Sequence, residues 1–199
     1  MNADAAATKQ RILESATLFF SEKGAKSSVR DIAKGAGVSL AMVHHYFGSK
    51  DDLYEACVGA MYEELAELRA HLVTALGSSG VDSILEDAVR ATFRFARDRR
   101  TTMRLMMRRV VARGALDTGR VDDFLLPFLE QASTLVAAAT GRDPSSLRLP
   151  LQSLVFLNGR YAIAEESELM LVTGTDTPDA ALRAVEDHLV DHAHQMLGI

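Results

Sequence analysis

The sequence predicts an all-α protein, and three observations carry that prediction. No stretch of the 199 residues sustains the apolar–polar alternation of a strand. No Asn-Gly or Asp-Gly pair stands between alternating runs as a hairpin signal. Apolar residues recur at helical spacing from one end of the chain to the other.

Each helix has its own justification. The first runs from about Thr8 to Lys23, with Ile12, Ala16, Phe19 and Phe20 on one face and Gly24 as its stop. A short second helix, Ser28 to Lys34, buries Val29, Ile32 and Ala33. After the break Gly35-Ala36-Gly37-Val38, Ser39 can cap a third short helix that turns Val43 and Phe47 inward. Ser49-Lys50-Asp51-Asp52 has the spacing of a capping box. It opens a long fourth helix whose apolar row is Leu53, Cys57, Met61, Leu65, Leu68, Leu72 and Leu76, ended by Gly77-Ser78-Ser79-Gly80.

The second half repeats this punctuation. Ser83 to Glu86 opens a helix through Val89, Phe93 and Ala96. Thr101 or Thr102 starts the next, rich in Met and Arg, as far as Gly114. Another spans about Val121 to Thr140, with Pro127 either in its first turn or kinking it. Asp143-Pro144 and Thr177-Pro178 each place a cap residue before a proline suited to the first helical position, and open the last two helices, ending near Val172 and Leu197. Nine helices are expected.

The composition fits a folded protein: 48% apolar, 25% charged and 6% aromatic, with one Cys, four Pro and no Trp. No run of 18 apolar residues is present, and the N-terminus MNADAAATKQ lacks the basic and apolar segments of a secretory signal, so a cytoplasmic protein is expected. One cysteine forms no internal disulfide. The net charge is −5, yet the first 50 residues hold seven basic side chains against four acidic ones, a surplus of +3 that leaves −8 for the remainder. All five lysines fall in that first segment. A basic end on an acidic chain is the charge pattern of a protein that holds DNA at one end.

Within that basic segment the run SSVRDIAKGAGVSLAMVHHYF, residues 27–47, has helix-turn-helix spacing. The turn needs a small residue where the helices approach (Ala33), a glycine able to take positive φ (Gly37) and an apolar plug (Val38). The second helix of such a pair lies in the major groove. With ILESATLFFSEKG before it and VHHYFGSKDDLYEA after it, including the F-x-S-K-x-x-L run Phe47 to Leu53, the first ~60 residues resemble the DNA-binding domain of tetracycline-repressor (TetR) family transcription regulators. The rest of the chain matches that family only in length and helical character.

The resemblance implies a helix-turn-helix domain over residues 1–52 and an effector-binding and dimerisation domain over 53–199. It implies a homodimeric repressor on a palindromic double-stranded DNA operator, released by a small-molecule effector, with no cofactor and no enzymatic activity. A DNA-binding regulator without small-molecule control, and a helical ligand-binding protein whose DNA recognition has decayed, stay open as alternatives. For DNA contact it points to Ser28, Arg30, Ser39, Leu40, Ala41, His44, His45, Tyr46 and Lys50. For Ser28, Ser39 and Ser49, simple helix capping is an equal reading. His44 departs from the family, which usually has Tyr there. Leu40, Ala41 and Met42 hydrogen-bond poorly, which shifts readout toward thymine methyls and DNA shape.

Candidate effector contacts are Tyr62, Phe93, Met103, Arg104, Met107, Phe128, Asn158 and Tyr161, in which large apolar side chains would line a pocket and a few polar groups orient the ligand. These residues equally suit a core. Arg97, Arg99, Arg100, Arg104, Arg108, Arg109 and Arg113 read as a solvated face paired with carboxylates, or as a linking helix holding an anionic ligand. The family's dimer bundle is expected at Leu154, Val155, Leu182, Val185 and Leu189. Cys57 reads as a small buried hydrophobe. His188 and His192, four apart beside Asp191 and His194, have metal-ligand spacing but equally form a polar helix face, and no metal is assigned.

Overall fold

Ile12, Ala16 and Phe20 repeat every fourth position, the spacing that stacks side chains on one face of a helix. That repeat builds the first of the ten α-helices among the described residues. The computed structural model describes residues 3–75, 81–114, 119 and 121–198. Among these the α-helices are α1 (Ala3–Lys23), α2 (Val29–Gly35), α3 (Leu40–Phe47), α4 (Lys50–Ala75), α5 (Val81–Asp98), α6 (Arg100–Arg113), α7 (Leu126–Thr140), α8 (Pro144–Ile163), α9 (Glu166–Thr173) and α10 (Pro178–Leu197). No strand occurs among the described residues, and none of their helices is long and apolar enough to cross a membrane. The fold is all-α, and the described residues hold ten α-helices where nine are expected from the sequence.

The chain forms two compact units, Met1–Leu65 with Thr101–Ala115, and Ala66–Arg100 with Leu116–Ile199. In the first, Ile12, Ala16 and Phe20 of α1 pack with Ile32 and Ala33 of α2, Val43 and Phe47 of α3, Leu53, Cys57 and Val58 of α4, and Leu105 of α6. Phe20 is 1% exposed; burying such a side chain contributes about 1.5–3 kcal/mol. Its ring meets Tyr54 edge-on at 5.1 Å, and the Tyr54 hydroxyl donates to the Leu105 carbonyl at 3.3 Å, which ties α6 into the unit. Ser15 Oγ donates to the Ile32 carbonyl at 2.9 Å, fastening α1 to α2.

In the second unit α10 supplies Ala181, Val185, Leu189, Ala193 and Leu197, a buried row at four-residue spacing. Leu129 and Val136 of α7 and Leu147 and Leu151 of α8 pack with Leu197. Among these apolar faces, buried Glu186 of α10 accepts both Arg94 Nε and Arg94 Nη2 of α5 at 2.7 Å. A buried carboxylate is costly unless paired in this way.

Three boundaries differ from the sequence reading. α5 begins at Val81, so Ser83 lies inside the helix rather than capping it, and the expected stop Gly77–Gly80 lies outside the described residues. The helix expected from Val121 starts with a π-helical turn, Val121–Leu125, and becomes α-helical at Leu126 with Pro127 in its first turn. Pro127 has no N–H to continue a ladder, which settles its place at the start.

The helix expected to run through to Val172 is two helices, α8 and α9, broken at Ala164 and Glu165, both extended with ψ near 147° and 148°. No glycine or proline marks the break. Its partner is distant in sequence: Arg97 Nη1 of α5 donates to the carbonyls of Ala162 (3.0 Å) and Ala164 (2.5 Å), satisfying groups that the end of α8 leaves open.

Candidate nucleic-acid interface

α2 begins after Ser28, whose backbone is extended and whose carbonyl accepts the Ile32 N–H at 3.0 Å. The Ser28 hydroxyl makes no capping bond, so the capping alternative does not describe it. Arg30, the second residue of α2, is exposed. α2 closes in a Schellman motif: Val38 N–H donates to Ala33 O at 3.0 Å and Gly37 N–H to Lys34 O at 3.2 Å. Gly37 has φ +66°, the left-handed conformation that favours glycine, and Val38 packs half-buried against the core.

That turn aims α3. Ser39 caps it, its side chain accepting the Met42 N–H at 3.2 Å. Val43 and Phe47 face inward, while Ala41, Met42, His44 and His45 are exposed and Leu40 and Tyr46 are half-buried at the margins. His45 meets Tyr46 edge-on, with ring centroids 5.3 Å apart. His44 Nδ1 lies 2.6 Å from the Gly48 carbonyl oxygen, and Gly48 N–H donates to the His44 carbonyl at 2.9 Å. Gly48, at φ +74°, turns the chain into α4.

Ser49 and Asp52 form a reciprocal capping box at the start of α4. Asp52 N–H donates to Ser49 Oγ at 3.1 Å, while Asp52 Oδ2 accepts Ser49 N–H at 3.0 Å and Ser49 Oγ at 2.6 Å. These bonds hold the Asp52 carboxyl below the usual carboxylate range. Lys50, half-buried, is the first residue of α4. Helix N-termini favour anions, so a cation there strengthens phosphate capture. Lys9, Lys23, Lys26 and Lys34 are exposed in the same unit, with Lys9 Nζ 5.8 Å from the Phe47 ring centroid and Lys23 Nζ 5.2 Å from that of Phe19.

The sequence reading missed two supports of this face. A Cβ on Gly35 would fall 2.5 Å from Ser15 Oγ, so glycine there permits the close approach of α2 to α1. Gly48 holds the His44 ring by its carbonyl. The signal for both is a glycine at a helix end within the motif, Gly35 opening the break that ends α2 and Gly48 directly before the Ser49 box.

The remaining candidates fall on both units. Tyr62, Met103, Arg104 and Met107 are half-buried in the first. Phe93 and Asn158 are buried, and Phe128 and Tyr161 half-buried, in the second. The first unit also holds a cavity of about 350 Å³ between Leu13, Thr17, Cys57, Met61 and Thr101, lined by none of these eight residues. Cys57 is 2% exposed and burial pushes its thiol up to about 11, so it is not a thiolate nucleophile at neutral pH. The arginines are largely paired: Arg90 with Asp187 at 2.8 Å, Arg100 with Glu165 at 2.5 Å, and Arg99 stacked 4.0 Å over Phe95. Arg108 lies against Gly24, and the side chains of Arg109 and Arg113 lie outside the description. The rings of His188 and His192 stack at 5.9 Å, with Tyr161 edge-on to His188.

Of the expected dimer residues, Val185 and Leu189 are buried within the protomer, Leu154 and Leu182 are half-buried, and Val155 is exposed. The apolar side chains that α8 leaves to solvent are Leu149 (75% exposed), Val155 (44%) and Phe156 (40%).

A family model described as "Bacterial regulatory proteins, tetR family" matches residues 12–57, from the first core residue of α1 to Cys57 of α4. The "Probable HTH-type transcriptional regulator YttP" of Bacillus subtilis is 37% identical over 87 residues, 43% of this chain and 41% of that protein. The "HTH-type transcriptional regulatory protein RaaS" of Mycobacterium tuberculosis is 43% identical over 60 residues, 30% of this chain and 28% of that one. The matched segment thus spans well under half of either relative. Among solved structures, a TetR-like transcriptional regulator from Rhodococcus sp. RHA1 superposes with a TM-score of 0.68 at 23% identity, covering 96% of this chain and 97% of the other. A TetR-family regulator from Mesorhizobium loti gives 0.65 at 17%, covering 98% of each. At those identities the likeness is one of fold.

Proposed function

We propose that this chain, whose residues 12–57 match a model of the tetR family of bacterial regulatory proteins, is a cytoplasmic DNA-binding transcriptional regulator of that family and not an enzyme. In this reading it is a homodimer that represses from a palindromic operator. The observation that carries the reading is α3, a short helix that exposes Ala41, Met42, His44 and His45 and is projected by a Schellman turn from the unit that holds all five lysines. α3 enters the major groove, with Ala41, His44 and His45 of its exposed side at base edges. Ser28, Arg30, Tyr46 and Lys50 hold the flanking backbone. Two copies joined through the outer face of α8, at Leu149, Val155 and Phe156, place two such helices on successive grooves.

A small-molecule effector acts by binding the DNA-incompetent arrangement more tightly than the competent one. In the second unit, half-buried Phe128 and Tyr161 suit an apolar or aromatic ligand, with Asn158 as a polar group to orient it. The domain boundary near residue 52 is the functional division that goes with this reading. Selection of operator from random DNA by the purified chain tests DNA recognition, and enrichment of a symmetric sequence is expected; no enrichment would sink it. Titration of thermal-shift hits against bound operator tests induction, where ligand and operator should weaken each other by one common factor, typically 5–150-fold. Hits that leave operator affinity unchanged would restrict the reading to a regulator without small-molecule control.

A further inference from the structure

We propose that His44 reads one exocyclic amino group in the major groove, adenine N6 or cytosine N4, with Nε2 as the acceptor. The inference rests on the DNA-binding reading above and says which bases that face selects. Nδ1 of His44 lies 2.6 Å from the Gly48 carbonyl oxygen. A carbonyl has no proton to give, so Nδ1 carries the hydrogen, and a neutral imidazole then has only a lone pair on Nε2. The carbonyl is itself held: Gly48 sits at φ +74° and its N–H donates back to the His44 carbonyl at 2.9 Å. The tautomer is therefore set by the backbone turn that ends α3, before any DNA is present.

Among the exposed side chains of α3, the His44 ring is the one held by a backbone acceptor. Ala41 and Met42, its exposed neighbours, offer no strong hydrogen-bonding group, and His45 leans edge-on against Tyr46. In the major groove, guanine presents the acceptors N7 and O6, and thymine presents O4 and a methyl group; both repel or ignore a lone pair. Adenine N6 and cytosine N4 are the donors that satisfy it. A tyrosine at this position would bring a hydroxyl that both donates and accepts, and so would discriminate less between the two classes.

The test compares the sites selected from one random DNA pool by the unsubstituted chain, by His44→Asn and by His44→Gln. Asparagine places its amide nitrogen where Nδ1 sits and keeps the Gly48 bond, but has nothing at Nε2. Glutamine extends an acceptor toward the Nε2 position and gives up the Gly48 bond. The unsubstituted chain should prefer adenine or cytosine at one position of each half-site by at least about fivefold, the worth of one hydrogen bond. His44→Asn should flatten that position to within about twofold, with the other positions and the thermal melt unchanged. His44→Gln should retain the adenine or cytosine preference. A preference for guanine at the position that His44→Asn flattens would overturn the proposal, because Nε2 would then be a donor. An unchanged sequence logo for His44→Asn would also overturn it. A wild-type chain that enriches no sequence would overturn the DNA-binding reading itself, and this inference with it.

Discussion

Gly35 and Asp52 show how much of the DNA-facing unit rests on single side chains or their absence. At Gly35, alanine gains roughly 1 kcal/mol of helix propensity, but its methyl lands 2.5 Å from Ser15 Oγ and 3.0 Å from Phe19 Cε2. Moving Ser15 breaks its bond to the Ile32 carbonyl, a loss of about 1–3 kcal/mol. Gly35→Ala is therefore expected to destabilise the protein by about 1 kcal/mol in urea unfolding. In a Ser15→Ala background, where the hydroxyl is already gone, that cost should vanish. Asp52 gives a pH signature. Its folded pKa is lowered by the Ser49 bonds, so its capping contribution is present above the ordinary carboxylate range and is lost as pH falls through the lowered value. The difference in melting temperature between wild type and Asp52→Asn should be largest near neutral pH and close in acid. A difference independent of pH would mean the charge plays no part in the cap.

The helices whose signals are local were legible in the sequence, and those set by distant partners were not. Ser39, the Ser49–Asp52 box, Gly37 and Thr177-Pro178 act within four residues of where they stand, and the structure has each in its expected place. The Ala164 break was invisible because its cause, Arg97, lies 67 residues away. The dimer expectation came from the family resemblance and named apolar residues of both α8 and α10, but an apolar residue on a helix face is buried as readily within its own protomer as against a partner. Val185 and Leu189 face their own protomer, whereas Leu149 and Phe156 of α8 stay exposed. Glu186 was hidden for the same reason, an acid in an amphipathic helix whose partners sit on α5. Arg97→Ala should cost about 1–3 kcal/mol by freeing the Ala162 and Ala164 carbonyls, and Arg97→Lys should restore only part, because a lysine ammonium lacks the guanidinium's fork. Full rescue by lysine in a denaturant titration would show that charge alone holds the break.

At the scale of the molecule, an acidic chain keeps its lysines in one unit, and the account turns on that unit meeting DNA phosphates. Operator affinity should fall steeply with salt, and Lys50→Ala should reduce the slope of log affinity against log salt by about one. A slope left unchanged would remove Lys50 from the phosphate contacts. The chain should also sediment as a dimer at micromolar concentration, and Leu149→Asp with Phe156→Asp should release monomers that keep their helical content. Dimerisation and DNA contact come together in the most direct measurement, hydroxyl-radical footprinting of the selected operator. The expected result is two protected patches on one face of the duplex, their centres separated by a multiple of 10–10.5 base pairs. A single patch, or no protection at concentrations that saturate the selected site, would contradict it.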